Sequence, residues 1–276
     1  MEELESGLNL SGSVPRAWPD IIRAVTWNIN RGLELDGVIE FLAGSRADLI
    51  LLQEADIHAR RTGQRNVPRE IAQALRMNYI FGREFEELAQ GSPIHPAWHG
   101  QATLSHLPLS NARILRFQEQ STFWCPRWFI PSLAWLQRRR GGRMALICEI
   151  TVGDRTLVIY NAHLESRGGD QLRIGQLSEI LADTGQNPGG VPVLMAGDFN
   201  FDLSRGPADS LMAHSGIANP FASLAGSRTV LKSRNGEPTA IDWMLTRGAL
   251  AARHPAIHDA VVASDHFPLS LELRLQ

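Results

Sequence analysis

The sequence is poor in cysteine, in long apolar runs and in net charge. Its 276 residues include two cysteines, Cys125 and Cys148, which are too few for a disulfide framework or for a metal site built from thiolates. No uncharged apolar stretch approaches the ~20 residues that a membrane-spanning helix needs. The formal net charge of −2, from 27 basic and 29 acidic residues, gives no bulk electrostatic preference for a polyanion.

The N-terminal sequence also lacks the features of an export signal. Met1–Glu5 is acidic, without the basic and apolar segments of a secretory peptide, and with two free thiols this predicts a cytoplasmic protein. Residues 1–19 show no periodicity and contain Ser, Gly and Pro, which predicts a flexible tail. No internal repeat or long linker divides the remainder, so residues 20–276 are predicted to form a single α/β domain.

Strand-like and helix-like segments alternate along this domain. Leu35–Gly44 has apolar residues at helical spacing, and Asp170–Ala182 has a second, less even apolar face. Shorter helices are predicted for Arg69–Leu75 and Asp209–His214. Strands are predicted for Ile21–Ile29, Asp48–Gln53, Ala102–Ser105, Ala112–Phe117, Met144–Val152, Thr156–Ala162, Val191–Ala196, Ala240–Thr246 and Leu269–Leu275.

An insert at about residues 117–142 differs in composition from its surroundings. It contains three of the seven tryptophans and ends in a run of three arginines, Arg138–Arg140. Because it interrupts the strand pattern, we predict an excursion from the core. Three interpretations are open: the insert covers the sheet, stacks on nucleic-acid bases beside the arginines, or places aromatic side chains in a membrane interface.

Polar side chains stand at the ends of several predicted strands. In an open α/β sheet such residues gather at one edge and line a crevice. Asp242 differs, because it lies inside an apolar run where an unpaired carboxylate would be costly, so we expect it to pair with a histidine. The residues at strand ends are Asn28, Asn30, Gln53, Glu54, Asn161, His163, Glu165, Asp198, Asn200, Asp265 and His266.

These residue types fit metal-assisted hydrolysis of a phosphate ester. Mg²⁺ prefers oxygen ligands and usually binds through one or two carboxylates, water and substrate phosphate, and Glu54 is the best single candidate. Asp198 can accept a proton from an attacking water, while Asn200 holds geometry without adding charge. His163 and His266 can donate to phosphate oxygens or to a leaving oxygen.

Six short motifs occur in order along the chain: Thr26-Trp27-Asn28, Leu52-Gln53-Glu54, Asn161-Ala162-His163-Leu164, Gly197-Asp198-Phe199-Asn200, Ile241-Asp242-Trp243 and Ser264-Asp265-His266. Together they resemble the endonuclease/exonuclease/phosphatase superfamily, which includes deoxyribonuclease I, exonuclease III-type abasic-site endonucleases, inositol polyphosphate 5-phosphatases, neutral sphingomyelinases and deadenylases. The resemblance covers about residues 20–275. It implies a four-layer α/β/β/α sandwich of two packed mixed β-sheets flanked by helices, with a divalent-metal site at one edge.

The resemblance also implies which residues hold the metal. Glu54 would be the principal Mg²⁺ ligand, with Mn²⁺ as the alternative cation. Asn28 would lie close to the metal or the phosphate. Asp265 would lie near the metal or the nucleophile.

The resemblance assigns catalytic roles to five residues. Asp198 would activate water, and Asn200 would orient that water or bind phosphate. His266 would hydrogen-bond the phosphate while paired with Asp242. His163 occupies the position that is histidine in deoxyribonuclease-like and sphingomyelinase-like members, where it would stabilise the transition state or assist the leaving group.

Three further residues are predicted to contact substrate. Arg61, on the loop after the Glu54 strand, suits bidentate phosphate contact, with a solvated loop as the alternative. Asn161 and Asn30 lie at strand ends among the other candidates. Asn30 stands where abasic-site enzymes usually carry a metal-binding aspartate, and Ala260–Ala263 replaces their tryptophan-containing loop. Both departures argue against abasic-site repair.

The sequence therefore predicts a Mg²⁺-dependent phosphoesterase, and more specifically a phosphodiesterase of nuclease type that acts on nucleic acid. The alternative is a phosphoesterase for phospholipids or inositol phosphates, sphingomyelinase-like or 5-phosphatase-like, whose aromatic insert makes peripheral contact with lipid. A non-catalytic binding module on the same fold would predict the loss of a key group, and the sequence retains them all.

Overall fold

A computed structural model describes residues 3–7, 19–121, 137–152, 154–188, 190–204, 206–224, 226–231 and 239–276. Most of the insert predicted at about residues 117–142 therefore lies outside the described residues, and its three interpretations stay predictions. None of the described helices is both long enough and apolar enough to cross a membrane.

The described part of the chain forms fourteen strands and four α-helices. The strands are β1 Leu4–Gly7, β2 Ile22–Arg31, β3 Leu49–Ile57, β4 Asn78–Glu86, β5 Trp98–Ser105, β6 Leu109–Arg116, β7 Arg140–Gly141, β8 Met144–Val152, β9 Arg155–His163, β10 Val193–Asp198, β11 Ile217–Ala218, β12 Asp242–Arg247, β13 Leu250–Ile257 and β14 Leu269–Leu275. The helices are α1 Leu35–Ser45, α2 Val67–Leu75, α3 Asp170–Thr184 and α4 Gly206–His214.

Two mixed sheets contain these strands. The first has the order β1-β4-β5-β3-β2-β14-β13, with β7 paired to β4, and the second has the order β11-β12-β10-β9-β8-β6. Parallel pairing joins β2 to β3 and β9 to β10. The carboxyl ends of each parallel pair lie side by side, so polar residues that follow these strands are brought together.

The sheets pack face to face around an apolar core. The sequence of β3 explains why both of its faces are buried. Leu49 and Leu51 face the other sheet, whereas Ile50 and Leu52 face the opposite side. All four side chains are fully buried. A strand that is covered on both faces needs apolar residues at every position, which explains the unbroken run Leu49–Leu52.

Helices cover the outer faces of both sheets. α1 and α2 bury Val38, Leu42 and Ile71 against the first sheet. α3 and α4 bury Leu177 and Met212 in the cluster that contains the second sheet. The result is a four-layer α/β/β/α sandwich, so the predicted fold class is confirmed.

The N-terminal segment departs from its prediction. Within the tail predicted for residues 1–19, Leu4–Gly7 forms the edge strand β1 beside β4. The Glu5 carboxylate accepts hydrogen bonds from Asn66 Nδ2 at 2.8 Å and from Tyr79 Oη at 3.0 Å. Without β1, the edge of β4 would offer unpaired backbone groups to any nearby segment. Formation of β1 therefore depends on β4, and the sequence of Leu4–Gly7 alone does not predict a strand.

Two long strands, β4 and β13, also have no counterpart in the sequence prediction. Each contains a register shift, between Arg83 and Phe85 in β4 and between Arg253 and Ala256 in β13. A bulge displaces the alternation of inward and outward side chains, so the period-two pattern is hidden. The failure to predict β4 from sequence matters for function, because this strand carries Glu84, which contacts the candidate site residue His163.

Candidate active site

Strand register places three of the predicted residues in a row at one edge of the second sheet. Asp198 is the last residue of β10. It lies opposite His163, the last residue of β9, and opposite Asp242, the first residue of β12. The three side chains are therefore positioned by sheet pairing, which tolerates little displacement, rather than by loops.

Gly197 permits the close strand approach that this row requires. Its φ of 145° is a conformation that residues with side chains rarely adopt. A Cβ at this position would lie 2.0 Å from the carbonyl oxygen of Ala162. The glycine therefore allows β10 to pack against β9 immediately before Asp198.

The Asp198 carboxylate is the centre of the site. Its Oδ1 accepts a hydrogen bond from the backbone N–H of Asn200 at 2.8 Å. Its Oδ2 accepts one from Asn28 Nδ2 at 3.1 Å. The same oxygen lies 3.6 Å from His163 Nε2 and 3.8 Å from His266 Nε2. Groups from both sheets therefore converge on one buried carboxylate.

Asn200 turns the chain beside this carboxylate. It has a φ of 58°, which is uncommon for a residue with a side chain. Its Nδ2 donates to the carbonyl oxygen of Leu164 at 3.1 Å, just after β9. The Asn200 side chain thus fixes the turn that carries the backbone N–H to Asp198.

Asp242 holds His266 in place from the side away from Asp198. Asp242 Oδ2 lies 2.9 Å from His266 Nδ1 and accepts a hydrogen bond from Thr229 Oγ1 at 2.6 Å. Burial alone would lower the pKa of His266, but the Asp242 and Asp198 carboxylates raise it to about 10. The imidazole is therefore protonated at neutral pH, and its Nε2 is a hydrogen-bond donor.

The segment before β14 is fastened to β2. Ser264 Oγ donates to the carbonyl oxygen of Asn28 at 2.7 Å and accepts from the backbone N–H of His266 at 3.2 Å. Trp27 Nε1 donates to the carbonyl oxygen of His266 at 2.9 Å. Asp265, between the two anchored residues, is exposed at the rim of the site.

A register shift in β3 redirects the chain at Glu54. Pairing with β5 is interrupted between Leu52 and Ala55, and Glu54 has a φ of 53°. Backbone strain of this kind clusters at functional sites. Arg31 Nη2 lies 3.4 Å from Glu54 Oε2, and its other terminal nitrogen donates to the Asn30 side chain. Burial by itself would raise the pKa of Glu54. Arg31 and more distant cationic side chains nevertheless hold this pKa well below its usual range.

Glu84 and Arg143 surround His163, and sequence reasoning missed both. Arg143 Nη1 donates to Glu84 Oε1 at 2.6 Å and lies 2.8 Å from His163 Nδ1. All three residues are buried. Burial would raise the pKa of Glu84, but Arg143 lowers it to about 2. Arg143 follows the arginine run of the insert, and that basic run was the one signal that could have identified it.

Two predicted substrate-binding residues are engaged within the protein. Asn161 is 0% exposed, and its Nδ2 donates to the carbonyl oxygens of Leu52 and Ala102 in the first sheet. The prediction that Asn161 contacts substrate is therefore corrected: it connects the two sheets. The Arg61 guanidinium makes two hydrogen bonds to Asp56, at 2.6 and 2.9 Å, and its contact with substrate phosphate stays a prediction.

Two places in the site have groups that could hold a cation. Within the described residues, Asp198, Asp242 and His266 offer ligand atoms that all lie within 4.8 Å of one another. Coordination by His266 would require the loss of its Nε2 proton, and its Nδ1 is already paired with Asp242. Glu54 fits better, because its side chain is 19% exposed and its carboxylate supplies the oxygen ligands that Mg²⁺ prefers.

The chain belongs to the Endonuclease/Exonuclease/phosphatase family, whose model matches residues 25–266. Members of this family are typically hydrolytic phosphoesterases, and the family depends on divalent metal ions. Comparison with curated protein sequences gives no match.

Solved structures share the fold across nearly the whole chain. The endonuclease/exonuclease/phosphatase from Beutenbergia cavernae DSM 12333 is 16% identical with a TM-score of 0.65, over 93% of this chain and 72% of that one. A family protein from Leptotrichia buccalis C-1013-b is 14% identical with a TM-score of 0.64, over 92% and 99%. D. rerio TDP2 complexed with single strand DNA product is 18% identical with a TM-score of 0.61, over 93% and 100%.

Proposed function

We propose that this protein hydrolyses phosphodiesters in a divalent-metal-dependent reaction, with nucleic acid as its substrate class. The observation that carries the proposal is the convergence of Asn28, His163 and His266 on the Asp198 carboxylate. An oriented carboxylate between hydrogen-bond donors suits the attack of water on a phosphate. The choice of nucleic acid is supported by D. rerio TDP2, whose structure contains a single-strand DNA product.

In this proposal Asp198 is the general base. The backbone N–H of Asn200 and the side-chain amide of Asn28 hold its two oxygens in fixed positions. The carboxylate then accepts a proton from the attacking water. Protonated His266 donates from Nε2 to a phosphate oxygen, and Asp242 keeps the imidazole charged and oriented.

His163 stabilises the charge that develops on the phosphate or on the leaving oxygen. Its Nε2 lies 3.6 Å from Asp198 Oδ2, and its Nδ1 lies 3.3 Å from Glu84 Oε2. Arg143 Nη1 lies within 2.9 Å of both ring nitrogens. The Arg143 charge adds positive potential in a buried environment, where electrostatic interactions are stronger than in water.

Glu54 would hold the metal ion, together with Asn28 and Asp265. We propose Mg²⁺, with Mn²⁺ as the alternative. Asn28 Oδ1 accepts one hydrogen bond, from the backbone N–H of Asn30 at 3.1 Å, and a carbonyl oxygen has a second lone pair for a ligand. When bound, a divalent cation would neutralise phosphate charge and assist departure of the leaving oxygen.

Hydrolysis of a phospholipid or inositol phosphate is the second candidate, favoured by exposed apolar side chains beside the site. Leu33, Leu231 and Val262 are 47%, 38% and 73% exposed. The backbone N–H of Leu231 donates to the carbonyl oxygen of Asp265 at 2.8 Å, so this side chain lies at the rim. Exposed apolar side chains near a site fit contact with a lipid surface.

Substrate turnover with Mg²⁺ and with excess chelator tests both candidates. The substrates are single- and double-stranded DNA, RNA, a chromogenic diester, an inositol polyphosphate and sphingomyelin vesicles. We expect metal-dependent cleavage of nucleic acid that Asp198→Asn abolishes. The control Asp154→Asn alters an exposed residue just before β9, at the opposite end from His163, and should retain activity.

The outcomes separate the candidates. Preferential cleavage of vesicles or of the inositol polyphosphate would replace nucleic acid with the second substrate class. Folded protein that cleaves none of the substrates with Mg²⁺ would contradict both candidates. Full activity in Asp198→Asn would remove this residue from the role of general base.

A further inference from the structure

A cavity of about 340 Å³ lies on the loops that follow β3 and β4. Its volume is within the range of small-molecule sites. None of the described residues that line it is acidic, and three carry basic or imidazole side chains. The lining residues are His58, Arg60, Gln64, Gln90, Gly91, Ser92 and His95.

β3 connects this cavity with the candidate active site. Glu54 lies in the last part of β3, and His58 immediately follows the end of the strand. Four residues of extended chain span at most about 13 Å. A polynucleotide that extends a short distance from the cleaved phosphate would therefore reach the cavity.

Hydrogen bonds between the two loops hold the cavity in shape. The backbone N–H of Arg60 donates to the carbonyl oxygen of Gln90 at 3.1 Å, and Arg60 Nη2 donates to the carbonyl oxygen of Ala89 at 2.5 Å. The backbone N–H of Arg61 donates to Gln90 Oε1 at 3.0 Å. A preformed cavity binds a ligand without the cost of ordering its loops.

Several side chains that line the cavity have polar groups available for a ligand. His58, Gln64 and His95 are exposed, and their side chains make no hydrogen bond to the part of the protein that the structure describes. Arg60 retains donors beyond the one bound to Ala89. His58 and Gln64 have φ values of 57° and 60°, which are costly conformations found at ligand clamps.

We propose that this cavity binds one nucleotide of a single-stranded nucleic acid whose neighbouring phosphodiester occupies the candidate active site. Arg60, His58 and His95 donate to the phosphate, and the Gln64 amide bonds to the base or the sugar. A concave cavity of this size admits an unpaired nucleotide. The inference rests on the proposed function, because it defines the substrate class of that site.

Oligonucleotide binding by the full chain tests the cavity directly. The probe is fluorescein-labelled single-stranded DNA of about 12 nucleotides, within the site sizes of single-strand binders, followed by anisotropy in excess chelator. Arg60→Ala should weaken binding about tenfold and reduce the slope of log K against log salt by about 0.7, because one phosphate contact is lost. His95→Ala, which removes an exposed ring that makes no hydrogen bond to the described residues, should weaken binding about threefold.

Arg274→Ala is the matched control. Arg274 is exposed near the end of β14, and β14 is antiparallel to β2, so it lies toward the opposite edge of the first sheet. Its loss should leave both the affinity and the salt slope unchanged. Equal affinity and slope in the wild type, Arg60→Ala and His95→Ala would overturn the inference.

A separate readout keeps the two proposals distinguishable. Wild-type turnover of the chromogenic diester with Mg²⁺ reports on the proposed function alone, because a small diester does not extend to the cavity. Turnover of the diester together with equal oligonucleotide binding in all variants would retain the proposed function and reject the cavity. Absence of turnover of the diester and of every nucleic acid tested would reject the proposed function, and the binding data would still decide whether the cavity binds single-stranded DNA.

Discussion

Asp242 Oδ2 lies 2.9 Å from His266 Nδ1, and this contact joins the two sheets at the edge where the candidate site lies. Asp242 begins β12 of the second sheet, whereas His266 precedes β14 of the first. The protonation state of His266 therefore depends on how the sheets pack.

Removal of the Asp242 charge should change the pH dependence of activity. Burial lowers the pKa of His266, and Asp242 with Asp198 raises it to about 10, so the imidazole stays charged until the pH approaches that value. In Asp242→Asn the pKa should fall, and kcat/KM should decrease on the order of 10²–10⁴-fold with an alkaline limit at lower pH. The pH–rate profile measures both effects. An alkaline limit identical to that of the wild type would contradict the assignment.

The same pair makes stability depend on pH. The folded pKa of His266 is raised above its ordinary value of 6.5, so its stabilisation of the fold is complete at about pH 6.5 and is lost as the pH rises through about 10. At lower pH the stabilisation is also lost when Asp242 is protonated, because burial raises the pKa of this carboxyl. The decline in the free energy of unfolding over this range should be smaller in Asp242→Asn. Urea unfolding at several pH values measures it, and parallel curves would refute the linkage.

Loss of Arg143 should destabilise the fold strongly. Arg143→Met leaves the buried Glu84 carboxylate without its charged partner, and breaking a buried pair costs about 3–5 kcal/mol. The double variant Arg143→Met with Glu84→Gln should recover part of this loss, because no uncompensated charge remains. Urea unfolding of the single and double variants measures the coupling. Additive effects would show that the two side chains do not interact.

Glu84 should make the stability of the fold decrease as the pH falls into the acid range. Its folded pKa is lowered from 4.5 to about 2, chiefly by Arg143 against the effect of burial. The stabilisation is therefore present above about pH 4.5 and is lost as the pH falls toward 2. Glu84→Gln should flatten the acid dependence of the free energy of unfolding, whereas the exposed control Glu40→Gln should not.

Asn161 should matter for stability and not for turnover. Asn161→Leu removes the donor to the Leu52 and Ala102 carbonyl oxygens, which costs about 1–3 kcal/mol for each buried group left unsatisfied. The kcat per folded molecule should stay within about twofold of the wild type. If Asn161→Leu had normal stability but lost its activity, the original prediction that Asn161 contacts substrate would be supported.

Glu54 should control the response to metal. Glu54→Gln keeps the shape of the side chain but removes its charge, so the Mg²⁺ concentration for half-maximal activity should rise at least about tenfold. A Mg²⁺ titration of activity measures this shift. Glu40→Gln on the exposed face of α1 is the matched control. An unchanged titration in Glu54→Gln would exclude Glu54 as a principal ligand.

Elements with regular local patterns were predictable from sequence. Met144–Val152 and Leu269–Leu275 form strands with the predicted bounds, and the helix predicted for Leu35–Gly44 is extended by one residue. The site motifs were visible for the same reason. Each combines a buried apolar run with polar residues at its end, as in Gly197–Asn200, and this contrast is a property of a few consecutive residues.

Local sequence patterns therefore predicted an α/β domain and the residues presented at strand ends, and the family resemblance implied the four layers. Tertiary structure decided which of those residues meet and which serve the fold. Asn28 and Asp198 are 170 positions apart, and Asn161 reaches the other sheet rather than the crevice. The Glu84–Arg143 pair was hidden by a bulged strand and an insert boundary. Local patterns report burial, whereas hydrogen-bond partners depend on how distant strands are placed in register and packed together.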